Sequence, residues 1–307
     1  MNMIRPTTIT DAMLVSSDVP ETDYDEYNPA TTYGENDYVM ETASGVHRIY
    51  QSLQAANTGN ALPVLPATST AWWLEISPTN RWKVFDQVVQ TQTSQAASME
   101  YVLEPGLFDA IALLNLEATS VQIVIDDPVE GEVYNETTNL VTTLPYSDWY
   151  LYFFEPALRD TDVIKTDLCA VGTPPYTNAE VTITITNTTG NAECGAIVFG
   201  MQAYLGALNY GAKAGNIDYS VKDVDAFGNV TITERSYSKR MRCPLTINNS
   251  VVDYVKQQLD IYRATPLVFV GHEDFNMFIM YGFIKDYEIE LVNHSYSHCD
   301  LAVDGLT

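Results

Sequence analysis

From residue 87 onward the chain is a succession of short runs with a two-residue period. In "EVTITITN", Val181, Ile183 and Ile185 alternate with Thr182, Thr184 and Thr186. That is the pattern of a strand with one buried face. "SVQIVID" follows the same period through Val121, Ile123 and Ile125, with Val124 interrupting it. "SMEYVL", "AIALLNL", "GEVYNETTNLVTTL", "WYLYFFEP" and "CGAIVFGMQAYL" are further β-type runs, separated by turn signals such as "DDPVEG", "GTPPYTN" and "NTTGN". The series predicts an antiparallel, jelly-roll-like β-sandwich over residues 87–307. Within it, "AFGNV" reads as a hairpin turn between two strands, and the segment from "FIMYGFI" to "AVDGL" as two or three strands. One helix stands out near 249–263. Val251, Val252, Val255 and Leu259 recur at helical spacing, Asn249 or Ser250 can cap it, and Pro266 lies beyond its end.

The front of the chain is patterned differently. Residues 1–23 show no sustained period and read as an extended N-terminal arm, of a kind that can lie along a neighbour. Residues 24–86 form a small module of short β-like pieces, "DYVM", "VHRIYQSL" and "AWWLEI", divided by "YNPATTYGEND", "TASG", "NTGNALP" and "SPTN". Three of the chain's four tryptophans, Trp72, Trp73 and Trp82, fall in this module. Adjacent residues on a strand point to opposite faces. One of Trp72 and Trp73 is therefore core, and the other meets the second domain, a partner or a ligand. Phe85 and Ile76 are expected to complete the cluster. The fold class is mainly β throughout.

Charge narrows the partners. Forty acidic residues stand against fifteen basic ones, a formal net charge of −25 over 307 residues. Such a field repels a polyanion, so nucleic acid is not an expected partner. The acidic runs "DYDE" (23–26) and "IDDPVEGE" (125–132) offer carboxylate oxygens of the type Ca²⁺ takes, without EF-hand spacing; solvated turns are the simpler reading. Cys169, Cys194, Cys243 and Cys299 form no CxxC pair and lack zinc-ligand spacing, which reads as four buried thiols in a protein made in a reducing cytoplasm. The first residues lack the basic start and apolar stretch of a secretory signal. No run reaches the roughly 20 apolar residues of a membrane span.

Catalytic motifs are not evident. There is no Gly-rich phosphate loop, no GxSxG and no HExxH. His294 and His298 near Asp300 resemble a metal pair by spacing. That spacing brings ligands together on a helix, however, and this segment reads as strand or loop. "GHED" (271–274) supplies an isolated acid–base pair. In so acidic a chain a hydrolase with two carboxylates across a groove remains a third class. The expectation is no enzyme, no metal and no cofactor.

Residues 24–73 resemble the small carbohydrate-binding modules of the chitinase type. The residues that carry the likeness are Tyr27, Tyr33, Asp37, Val39, Gly45, Tyr50, Asn57, Pro63 and the pair Trp72/Trp73, with Tyr24 or Tyr27 where that pattern usually opens on Trp. On a carbohydrate-binding reading, Tyr27, Tyr33, Tyr50 and Trp73 are the sugar-facing platform. Over about residues 24–306 the combination of "WWLEISPTNRWKVFD", "YFFEPALRDTDVI", "PPYTNAEVTITI", "IDYSVKDVDAFGNVTITERSYSKRM", "LDIYRATPLVFVG" and "MYGFIKDYEIELVNHSYSHCDLAVDGL" is similar to proteins encoded among the tail genes of tailed bacteriophages. That resemblance implies a structural virion protein made in the host bacterial cytoplasm. It would sit at the tail tip or baseplate and connect tail tube to fibres through protein–protein contacts. With its 20 tyrosines, a homo-oligomeric ring is the expected state. In this reading Trp72, Asn80, Arg81, Trp82 and Phe85 knit the two domains together, with Arg81 bonding carbonyls or a carboxylate. The alternative is a tail protein that recognises a host-surface glycan. The two differ in what they require: tryptophans buried at protein interfaces, or an aromatic strip facing solvent.

Overall fold

The computed structural model describes residues 1–64, 66–142, 153–154, 163–224, 227–272 and 275–306. The chain is mainly β, consistent with a sandwich-like arrangement of antiparallel sheets, and the α-helix whose bounds lie among the described residues is short. It begins with β1 (Asn2–Pro6) and β2 (Leu14–Ser17). The small module is a three-stranded sheet of β3 (Tyr38–Glu41), β4 (Arg48–Ser52) and β5 (Trp73–Pro78), with β4 in the middle. A short 3₁₀ segment, Asn80–Phe85, then leads into the larger part.

There β6 (Thr93–Leu103), β7 (Ala110–Leu114), β8 (Ser120–Asp127), β9 (Gly131–Asn139), β10 (Leu168–Val171), β11 (Glu180–Cys194) and β12 (Ala196–Tyr204) follow in order. One sheet runs β9-β8-β11-β6-β2. The alternation read from sequence sets its inner face. Val121, Ile123 and Ile125 of β8 lie opposite Ile185, Ile183 and Val181 of β11, and all six are buried. Against that face pack Ile111, Leu113, Ile197 and Phe199 from β7 and β12, closing one core.

The second sheet is longer. Its order is β10-β7-β12-β1, then β17 (Leu267–Val270), β18 (Ile279–Glu290), β19 (Tyr296–Gly305) and β16 (Tyr237–Asn248). Beside β16 lie Ala207–Leu208 and β13 (Lys213–Asp218). The helix α1 (Val252–Ile261) buries Val255 and Leu259 against a second core made with β16, β18 and β19. Its 3₁₀ lead-in, Asn249–Val251, is capped by Asn248, whose Oδ1 accepts the Ser250 N–H at 3.0 Å. The cap is thus one residue earlier than Asn249. The hairpin around "AFGNV" joins β14 (Val221–Val224) to β15 (Val230–Thr233), with residues 225–226 outside the described set.

The first residues differ most from the expected arm. β1 is extended, but it pairs within the chain on both sides: Met3 faces Ala203 of β12 and Phe269 of β17. Met3 and Ile4 are both fully buried, one in each of two cores on opposite faces of the sheet. An interior strand covered on both faces has no polar alternate positions, so it shows no two-residue period. "AIALL" and "LVFV" are buried at every position for the same reason.

Candidate functional site: the joint between module and sandwich

The module's own core is Val39, Tyr50, Leu62 and Trp73, with Tyr27, Tyr33, Val46 and Trp72 against it. Trp73 is fully buried. Its Nε1–H donates to the Asn60 carbonyl at 2.9 Å, and the rings of Tyr27 and Tyr33 meet it edge-on at 5.6 and 5.3 Å. Tyr50 is also fully buried, and burial, then the nearby Glu75 carboxylate, pushes its phenol up to about 12. Tyr50 and Trp73 therefore do not belong to a solvent-facing strip. The module is too small to cover a hydrophobic centre without its largest rings. Tyr27 and Tyr33 keep part of their surface, although the Tyr27 hydroxyl is already bonded to the Asn60 carbonyl at 2.8 Å. Trp72 packs on the module's own core, and Ile76 is exposed.

The other residues expected to join the domains, Asn80, Arg81, Trp82 and Phe85, do meet at the junction. Asn80 docks like a short strand. Its Nδ2–H donates to the Ser94 carbonyl at 2.9 Å, and its Oδ1 accepts the Ser94 N–H at 3.1 Å, which ties the segment to β6. Its own N–H reaches back to Asp23 at 3.0 Å. Arg81 bonds both a carbonyl and a carboxylate: Nε donates to Val19 O at 2.7 Å, and Nη1 lies 3.4 Å from Glu21 Oε2. The Arg81 carbonyl accepts the hydroxyl of buried Tyr101 at 2.8 Å. Trp82, Phe85 and Tyr101 form a chain of edge-to-face rings.

Two residues at the centre of the joint carry no sequence signal. Glu21, nearly buried, accepts His47 Nδ1 at 2.8 Å and the Thr79 hydroxyl at 2.6 Å. His47 stacks on Trp82 with ring centres 4.4 Å apart, and its Nε2 lies 3.2 Å from Asp11 Oδ1. An imidazole that carries both hydrogens donates to both carboxylates. His47 also adopts φ of +49°, a left-handed conformation that costs a non-glycine residue energy and persists only where its surroundings hold it. Here its carbonyl accepts the Thr79 N–H at 3.0 Å and its ring is clamped on three sides. Arm and module thus converge on one histidine, and the ring of Trp82 stacked on it continues through Phe85 to Tyr101 of β6. Nothing in "GVHRIY" announces this, because Asp11, Glu21 and Trp82 lie 36, 26 and 35 positions away in the numbering. A groove of about 560 Å³ opens beside it, between Thr8–Ala12, His47, Pro78 and Phe85.

The remaining candidates serve turns or lie apart. Asp127 Oδ1 accepts the N–H groups of Val129 and Glu130 at 2.9 and 3.0 Å, closing the β8–β9 turn. In the other acidic run, Glu26 takes the Thr42 hydroxyl and Asp23 takes Asn80. His298 lies on β19, with Nδ1 at 3.5 Å from the Thr246 hydroxyl. Of the "GHED" pair, Glu273 and Asp274 lie outside the described residues. Among the described residues no three His, Cys, Asp or Glu side chains gather as a metal would require, and no helix is long and apolar enough to cross a membrane. All four cysteines are buried, and burial pushes the thiols of Cys194 and Cys243 up to about 12 and that of Cys299 up to about 11. No protein-family model matches the chain, and no curated protein matches it.

Proposed function

We propose that this chain is a structural component of a tailed-phage tail, stationed at the tip or baseplate, where it connects tail to fibres by protein–protein contacts. The joint is the observation that carries the reading. Two units in one chain usually move against each other unless a substantial interface holds them. Here a buried carboxylate, a stacked histidine, an arginine and an asparagine that mimics a strand fix the module on the sandwich. A part that bridges neighbours in a particle needs that fixed orientation; a tethered binding module does not. The test is antibody labelling of purified particles of the phage that encodes the chain, read by electron microscopy. Label at the distal tail supports the proposal; particles that lack the protein refute it.

A second reading is glycan recognition at the same station, and one observation favours it. Tyr24 and Tyr38 stack at 5.2 Å and are 43% and 38% exposed. Such rings accept the C–H face of a pyranose. Titration with chitin oligomers and bacterial surface glycans, followed by tyrosine ring signals in NMR, tests it. Shifts confined to Tyr24 and Tyr38 support sugar binding, and unmoved signals at millimolar sugar count against it.

A further inference from the structure

Where the hairpin of β14 and β15 returns into β16, residues 234–239 stand against the body of the chain and help enclose a cavity of about 410 Å³. That volume is within the range of small-molecule sites. Two contacts tie its walls together. Lys239 reaches the Asp167 carboxylate, and Gln90 Nε2–H donates to the Tyr237 carbonyl at 3.1 Å. Asn115 fixes the wall on the body side: its Nδ2–H donates to the Val89 carbonyl at 2.7 Å, and its backbone N–H to Asp167 Oδ1 at 3.1 Å. The apolar lining is Val89, Leu114, Met280 and Leu306, of which Leu114 and Met280 are almost fully buried.

The polar lining holds two cations, Lys239 and Arg235, and two carboxylates, Asp167 and Glu234, so net charge selects no ligand. Hydrogen-bonding capacity does. Asp167 is buried, and its oxygens are engaged by the Asn115 N–H, by the Thr166 hydroxyl at 3.2 Å and by Lys239. Glu234 and Arg235 are exposed neighbours of opposite sign. Among the buried and ionised groups, the spare capacity is for donating. An ammonium has three N–H groups, and Lys239 commits one of them to Asp167. Tyr281 lines the cavity and is only 3% exposed, yet its hydroxyl has no hydrogen-bond partner among the described residues. Burial, and then the Asp86 carboxylate, pushes that phenol up to about 12, so it stays protonated and donates. A buried hydroxyl without a partner costs free energy that an acceptor on a ligand recovers.

We propose that this cavity binds a small amphipathic carboxylate, its apolar body on Val89, Leu114, Met280 and Leu306 and its oxygens on the Lys239 ammonium and the Tyr281 hydroxyl. A carboxylate offers several acceptor sites, so it can share the ammonium with Asp167. Hydrogen bonds to an ionised group are roughly twice as strong as neutral ones, which favours an acid head over an alcohol of the same length. The chain's charge of −25 opposes an anion chiefly at long range, where salt screens it beyond about 8 Å. A bound molecule touches both walls and so steadies the hairpin against the body.

NMR of the full-length protein, labelled at valine and methionine methyls, tests the site. Sodium octanoate is titrated to about 10 mM, which spans the millimolar affinity expected of so small a ligand, and octan-1-ol serves as the uncharged match. In the wild type octanoate shifts the Val89 and Met280 methyls saturably, while Met277, 56% exposed, stays in place. Octanol binds about ten-fold more weakly, and Tyr281→Phe weakens octanoate about ten-fold, as loss of one bond to an ionised group requires. Asp167→Asn with Lys239→Met removes both charges together, leaves neither ion unpaired, and brings octanoate to the level of octanol. Circular dichroism checks that the variants fold, and Tyr281→Phe keeps the ring and its packing even where the double variant does not fold. Unmoved Val89 and Met280 methyls at about 10 mM octanoate, well above the affinity expected, overturn the proposal. So do equal affinities for octanoate and octanol, a Met277 shift as large as that of Met280, or wild-type octanoate affinity in Tyr281→Phe.

Discussion

Replacing Glu21 by alanine removes the acceptor on which the joint converges. The carboxylate takes the His47 ring at 2.8 Å and the Thr79 hydroxyl at 2.6 Å, with Arg81 at a longer 3.4 Å. Hydrogen bonds to a charged group contribute about 1.5–3 kcal/mol each, and the long arginine contact adds little. Two good bonds at the low end give a loss of about 3 kcal/mol, which agrees with the roughly 3–5 kcal/mol cost of breaking a buried ion pair by deleting one partner. The loss falls on the joint, because Thr79 and His47 belong to the module side while Val19, Ser94 and Tyr101 hold the sandwich side. Urea unfolding followed by tryptophan fluorescence and by far-UV circular dichroism measures it. The expected result is a lower midpoint by fluorescence, with the two probes no longer coincident as the module detaches first. Glu21→Gln keeps the shape and one acceptor and costs less than Glu21→Ala. In a double-mutant cycle, Thr79→Val couples to Glu21→Ala by about 1 kcal/mol, within the range of contacting residues. A loss below about 0.5 kcal/mol, the scatter of an ordinary surface substitution, would refute the claim that this carboxylate holds the joint.

Trp73→Ala empties the module's core and costs about 3–5 kcal/mol; hydrogen exchange will show β3–β5 unprotected while β8 and β11 stay protected, and retained protection in β4 contradicts the assignment. A Cβ at position 200 would sit 2.1 Å from the Arg5 carbonyl oxygen, so Gly200→Val expels β1, read as rapid exchange of the Met3 and Ile4 amides. The four buried cysteines will resist a thiol reagent in the native protein and react within the dead time in urea; fast native labelling would contradict their placement. Burial raises the Asp86 carboxyl above its ordinary value of 3.8, against the opposing hydrogen bonds from the Val88 N–H and the Thr91 hydroxyl. The folded state then holds the proton more tightly than the unfolded chain, so this group's contribution is full below pH 3.8 and is lost as pH rises through the raised value. Asp86→Asn will flatten that part of the stability–pH curve, and an unaltered slope would show that the carboxyl is not buried.

Much of the fold was legible along the chain, and for one physical reason. A strand with one face in water must alternate, and so "EVTITITN" and "SVQIVID" announce β11 and β8 and even the side they bury. The helix near Val252–Ile261 was legible through its spacing, and its cap was missed by one residue because Asn248, Asn249 and Ser250 are all chemically able to cap. Strands covered on both faces carry no such record, so β1 looked like a free arm, and only pairing with β12 and β17 makes it the middle of a sheet. The joint divides in the same way. Asn80, Arg81, Trp82 and Phe85 could be picked out because they cluster within six residues, and large rings beside a turn must be buried somewhere. That Trp73 and not Trp72 is the core ring, that Tyr50 is sealed beneath it, and that Glu21 and His47 close the joint were decided by tertiary structure alone. Period and composition are properties of neighbours in the chain. The partners of a buried carboxylate are chosen by which distant segments share a wall, and no local rule encodes that.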